Sequence, residues 1–170
     1  MATLHIDLER TLRAPRAVVW SFLTTVSEFS RWIEELEEAT TDRGATIGTE
    51  TGIDFSFRDG TRVYGTVTAC RAEELLAIEA RLSRGHVALD RVRLEPVAGG
   101  TRLILTSEHK TDADIFKPKN HLAALFAVPY RFPFSLLREP PKTALFHAYE
   151  RSLDNLASHV EAIVGVPYRH

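Results

Sequence analysis

Three features of this sequence predict an α+β fold, antiparallel strands followed by one long closing helix. The chain opens on alternation, Leu4, Ile6, Leu8 and Leu12 against His5, Asp7, Glu9 and Thr11, the two-residue period of a half-buried strand. From 49 to 111 the pattern is a meander of short segments broken by turn residues. Near the end, Leu145, Tyr149, Leu153, Leu156, Val160 and Ile163 recur at steps of three and four, one face of a long amphipathic helix.

The elements follow in order. The first strand runs to Leu12 and carries Arg10 on the parity of Leu8 and Leu12. Such a residue usually runs its stem to an edge and keeps the guanidinium in water. The other outcome is an inward pair with Asp90, where Arg10 would also receive a ligand's carboxylate or phenolate. The edge position is favoured. Pro15 suits a first helical turn, and Val18, Val19, Phe22, Val26 and Phe29 then recur at helical spacing. Leu36 to Asp42 reads as a short strand closed by Gly44 and Gly48.

The meander segments are 49–57, 61–71, 75–83, 86–95 and 101–111, interrupted at Asp59-Gly60, Glu73-Glu74, Arg84-Gly85 and Gly99-Gly100. Connections this short pair strands antiparallel. In the first hairpin, Ile53, Phe55 and Phe57 share a face with Val63, Gly65, Val67 and Ala69 only if the loop is Arg58-Asp59-Gly60, with Gly60 left-handed. Asp54, Tyr64 and Cys70 then face outward. In the last hairpin, Leu94 opposite Leu103 sets Val92 against Leu105, Asp90 against Ser107 and Ala88 against His109. The inner, apolar face thus acquires Asp90, Ser107 and His109.

The stretch 112–140 has no strand alternation and is rich in proline and phenylalanine, with a short helix predicted at His121 to Ala127. A connection this long is a lid or an interaction segment. Its basic residues (Lys117, Lys119, Arg131 and Arg138, with Lys142 beyond) alternate with Phe116, Phe126, Phe132 and Phe134. That mixture suits a cavity cover first, a protein contact second and a weak membrane-surface contact third. Pro140-Pro141 opens the final helix and Gly165 stops it.

Composition narrows the function. A net charge of −2 argues against nucleic acid as a partner. Cys70 is the single cysteine, which excludes an internal disulfide and a CxxC site. The start lacks a basic region followed by an apolar run, and no window approaches about 18 uninterrupted apolar residues. One domain spanning 1–170 is expected, cytoplasmic, monomeric or homodimeric. His5, His86, His109, His121, His147, His159 and His170 have no ligand spacing, and no phosphate loop or dinucleotide fingerprint occurs, so neither metal nor cofactor is expected.

Ala14-Pro15, Val19-Trp20, Phe29 and Trp32 nine and twelve residues after Trp20, "VAGGT" before the last strand and the long final helix carry a resemblance. Together they resemble the START-like, helix-grip (SRPBCC) superfamily, in its polyketide cyclase/dehydratase-like branch, over roughly 1–111 and 140–164. The resemblance implies a curved antiparallel sheet of six or seven strands wrapped around the C-terminal helix, with two short helices after the first strand. It also implies an internal cavity walled by Phe29, Ile33, Leu36, Phe55, Val63, Val67, Ala69, Ile78, Val92, Leu105, Leu145, Tyr149 and Leu156. Periodicity alone favours a solid core, and only the resemblance points to a hollow one.

The activity implied is less specific, because the superfamily hosts binders, cyclases and regulators on one scaffold. The first expectation is binding of a hydrophobic small molecule, lipid-like or polyketide/aromatic, oriented by Asp90, Ser107, His109 and Tyr149. The second is a polyketide cyclase/dehydratase-like enzyme using His109 and Asp90 as an acid–base pair. The third is a regulatory module engaging a partner through 112–140. Some polyketide aromatases place a serine and an arginine two residues apart on the strand corresponding to 61–71. Here those positions are Val67 and Ala69, which tells against regiospecific cyclisation. The allergen-type glycine-rich loop is also absent from 44–48 and 58–60.

Overall fold

The computed structural model describes residues 2–82, 86–111 and 141–165. Strand β1 (Ala2–Leu12) leads into helix α1 (Arg16–Thr24), a single 3-10 turn (Val26–Glu28) and the one-turn helix α2 (Phe29–Trp32). Six strands follow: β2 (Leu36–Thr41), β3 (Gly52–Phe57), β4 (Arg62–Arg71), β5 (Leu75–Arg81), β6 (Val87–Val97) and β7 (Gly100–Thr111). Helix α3 (Pro141–Ile163) closes the described chain. Among the described residues the seven strands form one antiparallel sheet in the order β1-β7-β6-β5-β4-β3-β2. The segment 112–140, with the short helix and the cover expected there, lies outside the described residues. No described helix is long and apolar enough to cross a membrane.

Local chemistry explains the register. In the β3–β4 hairpin Phe55 faces Val63 and the Phe57 N–H donates to Thr61, leaving Arg58-Asp59-Gly60 as the loop with Gly60 at φ +84°. In the β6–β7 hairpin Leu94 pairs with Leu103, Val92 with Leu105, Asp90 with Ser107 and Ala88 with His109. Both registers match the sequence reading. The strands expected at 49–57 and 75–83 are shorter, because Glu50 takes a left-handed turn (φ +68°) and β5 ends at Arg81.

A bulge in β4 corrects one expectation. Val67 pairs with Ile78 but Ala69 with Ala77, so the register slips by one residue across Thr68. The alternation reverses beyond it: Cys70 now lies opposite buried Leu76 and packs against the core instead of facing outward. Ala69 loses the inner position it was expected to share with Val67. Arg10 does not pair with Asp90. Its Nε donates to Asp154 on α3 at 3.1 Å, with Glu150 at 3.9 Å. The guanidinium thus sits at the edge, joining β1 to α3.

The core is solid at one end. Leu12, Val19, Leu103, Leu156 and Val160 are essentially inaccessible and belong to one apolar cluster. Beside it the buried Glu161 carboxylate accepts the Arg13 N–H at 2.9 Å and its guanidinium at 3.2 Å, fastening the β1–α1 turn to α3. A second clamp holds the turn after α2. There the Glu34 N–H donates to Ser152 Oγ (2.9 Å), Arg151 Nε to Glu34 (2.9 Å) and Asn155 Nδ2 to the Trp32 carbonyl (3.4 Å).

Candidate functional site

Towards the N-terminal half of α3 the same core is hollow. A cavity of about 160 Å³ lies between the inner sheet face, the α1–α2 region and residues 145–153 of α3. Phe29, Ile33, Phe55, Val63, Ile78, Asp90, Val92, Leu105, His109, Leu145 and Tyr149, all expected at such a wall, line it. Leu36, Val67, Ala69 and Leu156 do not. Leu36, Val67 and Leu156 are packed solid, with at most 1% of their surface accessible, and the β4 bulge diverts Ala69. Ser107 stands behind the wall, touching the polar groups that line it.

Among the described residues twelve more line it: Leu23, Trp32, Glu34, Phe57, Leu76, Ala80, Leu82, His86, Ala88, Ala148, Ser152 and Leu153. A signal for His86 was present, since it shares the parity of Ala88 and Asp90. Ala148, Ser152 and Leu153 lie three and four residues from Leu145 and Tyr149, on one helical face. Glu34 carried no signal, because it reaches the cavity from a turn.

The lining is apolar apart from a few groups, and most of these converge. Tyr149 Oη donates to Asp90 Oδ1 at 2.8 Å, and Ser107 Oγ donates to the same oxygen. His109 Nε2 lies 2.9 Å from Ser107 Oγ and 3.2 Å from Tyr149 Oη. With both hydroxyl protons directed at Asp90, the His109 Nε2 proton points to a hydroxyl oxygen. His109 Nδ1 is then free to accept from His86 Nε2, 3.0 Å away. The row Asp90–Ser107–His109–His86 is therefore continuous, drawn from β6, β7 and the residue preceding β6, with Tyr149 of α3 against its middle.

Burial sets the charge state of this row. It holds His109 down to about 4, and it holds His86 at about 4 with help from the His109 charge. Both imidazoles are neutral at pH 7. Burial pushes the Asp90 carboxyl above its ordinary range, while the hydrogen bonds from Ser107 and Tyr149 act in the opposite direction. No group of three or more His, Cys, Asp or Glu side chains among the described residues is placed to hold a metal ion.

The family described as polyketide cyclase/dehydrase and lipid transport matches residues 3–161. No curated protein matches. Protein CV1439 from Chromobacterium violaceum superposes with a TM-score of 0.63 at 19% identity, covering 92% of this chain and 96% of its own. Ara h 8.0201 gives 0.67 at 12% identity, covering 95% and 99%. DynU16, from the dynemicin biosynthetic locus, gives 0.60 at 17% identity, covering 98% of this chain and 49% of its own. Likeness at such identities establishes the fold alone.

Proposed function

We propose that this chain, which belongs to the polyketide cyclase/dehydrase and lipid transport family, binds a hydrophobic small molecule, lipid-like or polyketide/aromatic, in the cavity between sheet and α3. The observation that carries the reading is an apolar hollow with its polar groups gathered on one side, the pattern by which pockets bury a body and fix its orientation. A cavity of about 150 Å³ in another protein holds benzene. The 160 Å³ here therefore accepts one ring without rearrangement, and a longer occupant must displace side chains. Apolar burial contributes roughly 25 cal/mol per Å² before ordering costs. Native mass spectrometry of protein purified from its own host tests the reading. A co-purifying hydrophobic compound, lost on denaturation, is expected. Protein of bare mass from every preparation, together with failure to take up any apolar compound, would refute it.

The convergence of Ser107, His109, Tyr149 and Asp90 also supports a second reading, a polyketide cyclase/dehydratase-like enzyme. His109, neutral at pH 7, would take the proton on the Nδ1 lone pair that otherwise accepts from His86, while Ser107 and Tyr149 hold the ring at Nε2 and Asp90 orders those two hydroxyls. A base held at about 4 is a weak one at neutral pH, which is why binding comes first. Under the enzyme reading His109→Ala abolishes turnover and leaves affinity within a few-fold. A change in affinity alone refutes it.

A further inference from the structure

The polar row directs its protons inward, at its own members. Ser107 Oγ and Tyr149 Oη both donate to Asp90 Oδ1, His109 Nε2 turns its proton to a hydroxyl oxygen, and His86 Nε2 donates to His109 Nδ1. The second Asp90 oxygen, Oδ2, takes no hydrogen bond from any described residue. Nor is it one of the unpartnered side-chain atoms sealed from solvent, so it keeps open surface. Its place in the fold determines where that surface faces. Asp90 stands on the inner sheet face between Ile78 of β5 and Ser107 of β7, with Ala88 and Val92 flanking it along β6. Tyr149 reaches Oδ1 from α3. Ile78, Ala88, Val92 and Tyr149 all line the cavity together with Asp90, so the open surface of Oδ2 is cavity surface.

The surroundings of Oδ2 restrict what it can receive. A carboxylate oxygen only accepts, and the two hydroxyl donors on Oδ1 favour the ionised form while burial opposes it. One more donor, placed on Oδ2, would offset part of that burial cost. A ketone, an ether or a carboxylate would instead set oxygen against oxygen with no proton between them. An ammonium brings three N–H donors to a position flanked by Ile78, Ala88 and Val92. Oδ2 would satisfy one of these and the rest would stay desolvated. A hydroxyl brings a single donor, and Oδ2 satisfies it.

We propose that Asp90 Oδ2 anchors the hydroxyl of an uncharged ligand, a phenol or another one-ring alcohol, and that the site selects this donor over ethers, ketones and ammonium groups. The inference rests on the binding reading above and adds to it the ligand's polar group and the atom that holds it.

Four one-ring probes of matched size test it: p-cresol, its isomer anisole, p-xylene and benzylammonium. Calorimetry at pH 7 gives the affinities, and the ¹³C signal of the Asp90 carboxyl, assigned by its loss in Asp90→Asn, gives the contact. p-Cresol should bind at least about fivefold more tightly than anisole or p-xylene, the worth of one net hydrogen bond. Benzylammonium should be at least about tenfold weaker than p-cresol. The Asp90 signal should move further with p-cresol than with p-xylene. In Asp90→Asn, checked for an unchanged fold by melting, Oδ1 still accepts from Ser107 and Tyr149 and an amide N–H replaces Oδ2. That N–H donates to either oxygen, so the preference for p-cresol over anisole should vanish. Equal affinities of p-cresol and anisole in the wild type overturn the inference and leave the binding reading intact. So does benzylammonium binding as well as p-cresol, or a preference that survives in Asp90→Asn. Uptake of no probe also overturns the inference, and the binding reading then stands or falls on the co-purifying compound.

Discussion

Gly100→Ala is expected to lower the melting temperature by about 6–12 °C, the equivalent of about 3 kcal/mol at this chain length. A Cβ on Gly100 would stand 2.0 Å from the Leu12 carbonyl oxygen and 3.1 Å from the Arg13 Cα. These are backbone atoms at the end of β1, and they are held from several directions. Thr101 Oγ1 donates to the Ala14 carbonyl at 2.7 Å, Glu161 accepts the Arg13 N–H, and Leu12 is itself buried. To make room the β1–α1 turn must release at least one of those bonds. Gly99→Ala is the control. Gly99 sits at φ +80° with open space around it, so alanine there costs only the left-handed strain of about 1 kcal/mol, or about 2–4 °C. Thermal melts of the two variants settle the matter: equal shifts, or a larger one for Gly99→Ala, would sink the account. The adjacent glycines thus serve different ends, one a turn and the other a close approach of backbones.

Alternation proved enough to place Asp90 opposite Ser107 and Phe57 opposite Thr61, because a one-residue slip would have turned every apolar side chain outward. It failed at Thr68, where a bulge reverses the parity without any glycine or proline to mark it, and so it misplaced Ala69 and Cys70. Depth was the second thing it could not supply. Leu156 and Tyr149 both belong to the apolar period of α3, yet one is packed solid and the other borders the cavity. Periodicity identifies the face a residue presents, whereas filling depends on what the opposing elements bring to that level. Leu156 is one of the inaccessible members of the apolar cluster, with Leu12, Leu103 and Val160, while small Ala80, Ala88 and Ala148 line the hollow that Tyr149 borders. Trp32 and Glu34 were harder still. Their position depends on Arg151, Ser152 and Asn155, more than a hundred residues away in the chain.

Acidification from pH 7 to pH 4.5 is expected to destabilise the protein, and the buried imidazoles are the reason. His109 takes a proton at an ordinary 6.5 when unfolded but only at about 4 when folded. Between those values the unfolded chain binds more protons, so stability falls as pH falls, and the loss is complete below about 4. For His109 the difference corresponds to about 3 kcal/mol at most, or about 6–12 °C in melting temperature. His86 is shifted in the same direction and adds to it. Asp90 acts against them. Its folded value is raised above the ordinary 3.8, so in the window between the two the folded protein binds the proton better and gains stability on acidification. Two imidazoles oppose one carboxyl, and the imidazoles should prevail. His109→Gln, which cannot titrate, should flatten the fall in melting temperature between pH 7 and pH 4.5. Asp90→Asn, which removes the opposing gain, should steepen it. Melts of the three proteins across that range measure this directly, and the ¹H shift of the His109 ring gives its titration independently. A wild-type melting temperature that holds constant or rises towards pH 4.5, or a His109→Gln slope equal to the wild type, would show that the row is not charged as its burial requires. The same protonation would turn His109 Nδ1 from acceptor to donor and set it against the proton that His86 Nε2 directs at it. Acid should therefore break the row at the His86–His109 link before it disturbs the Tyr149–Asp90 bond.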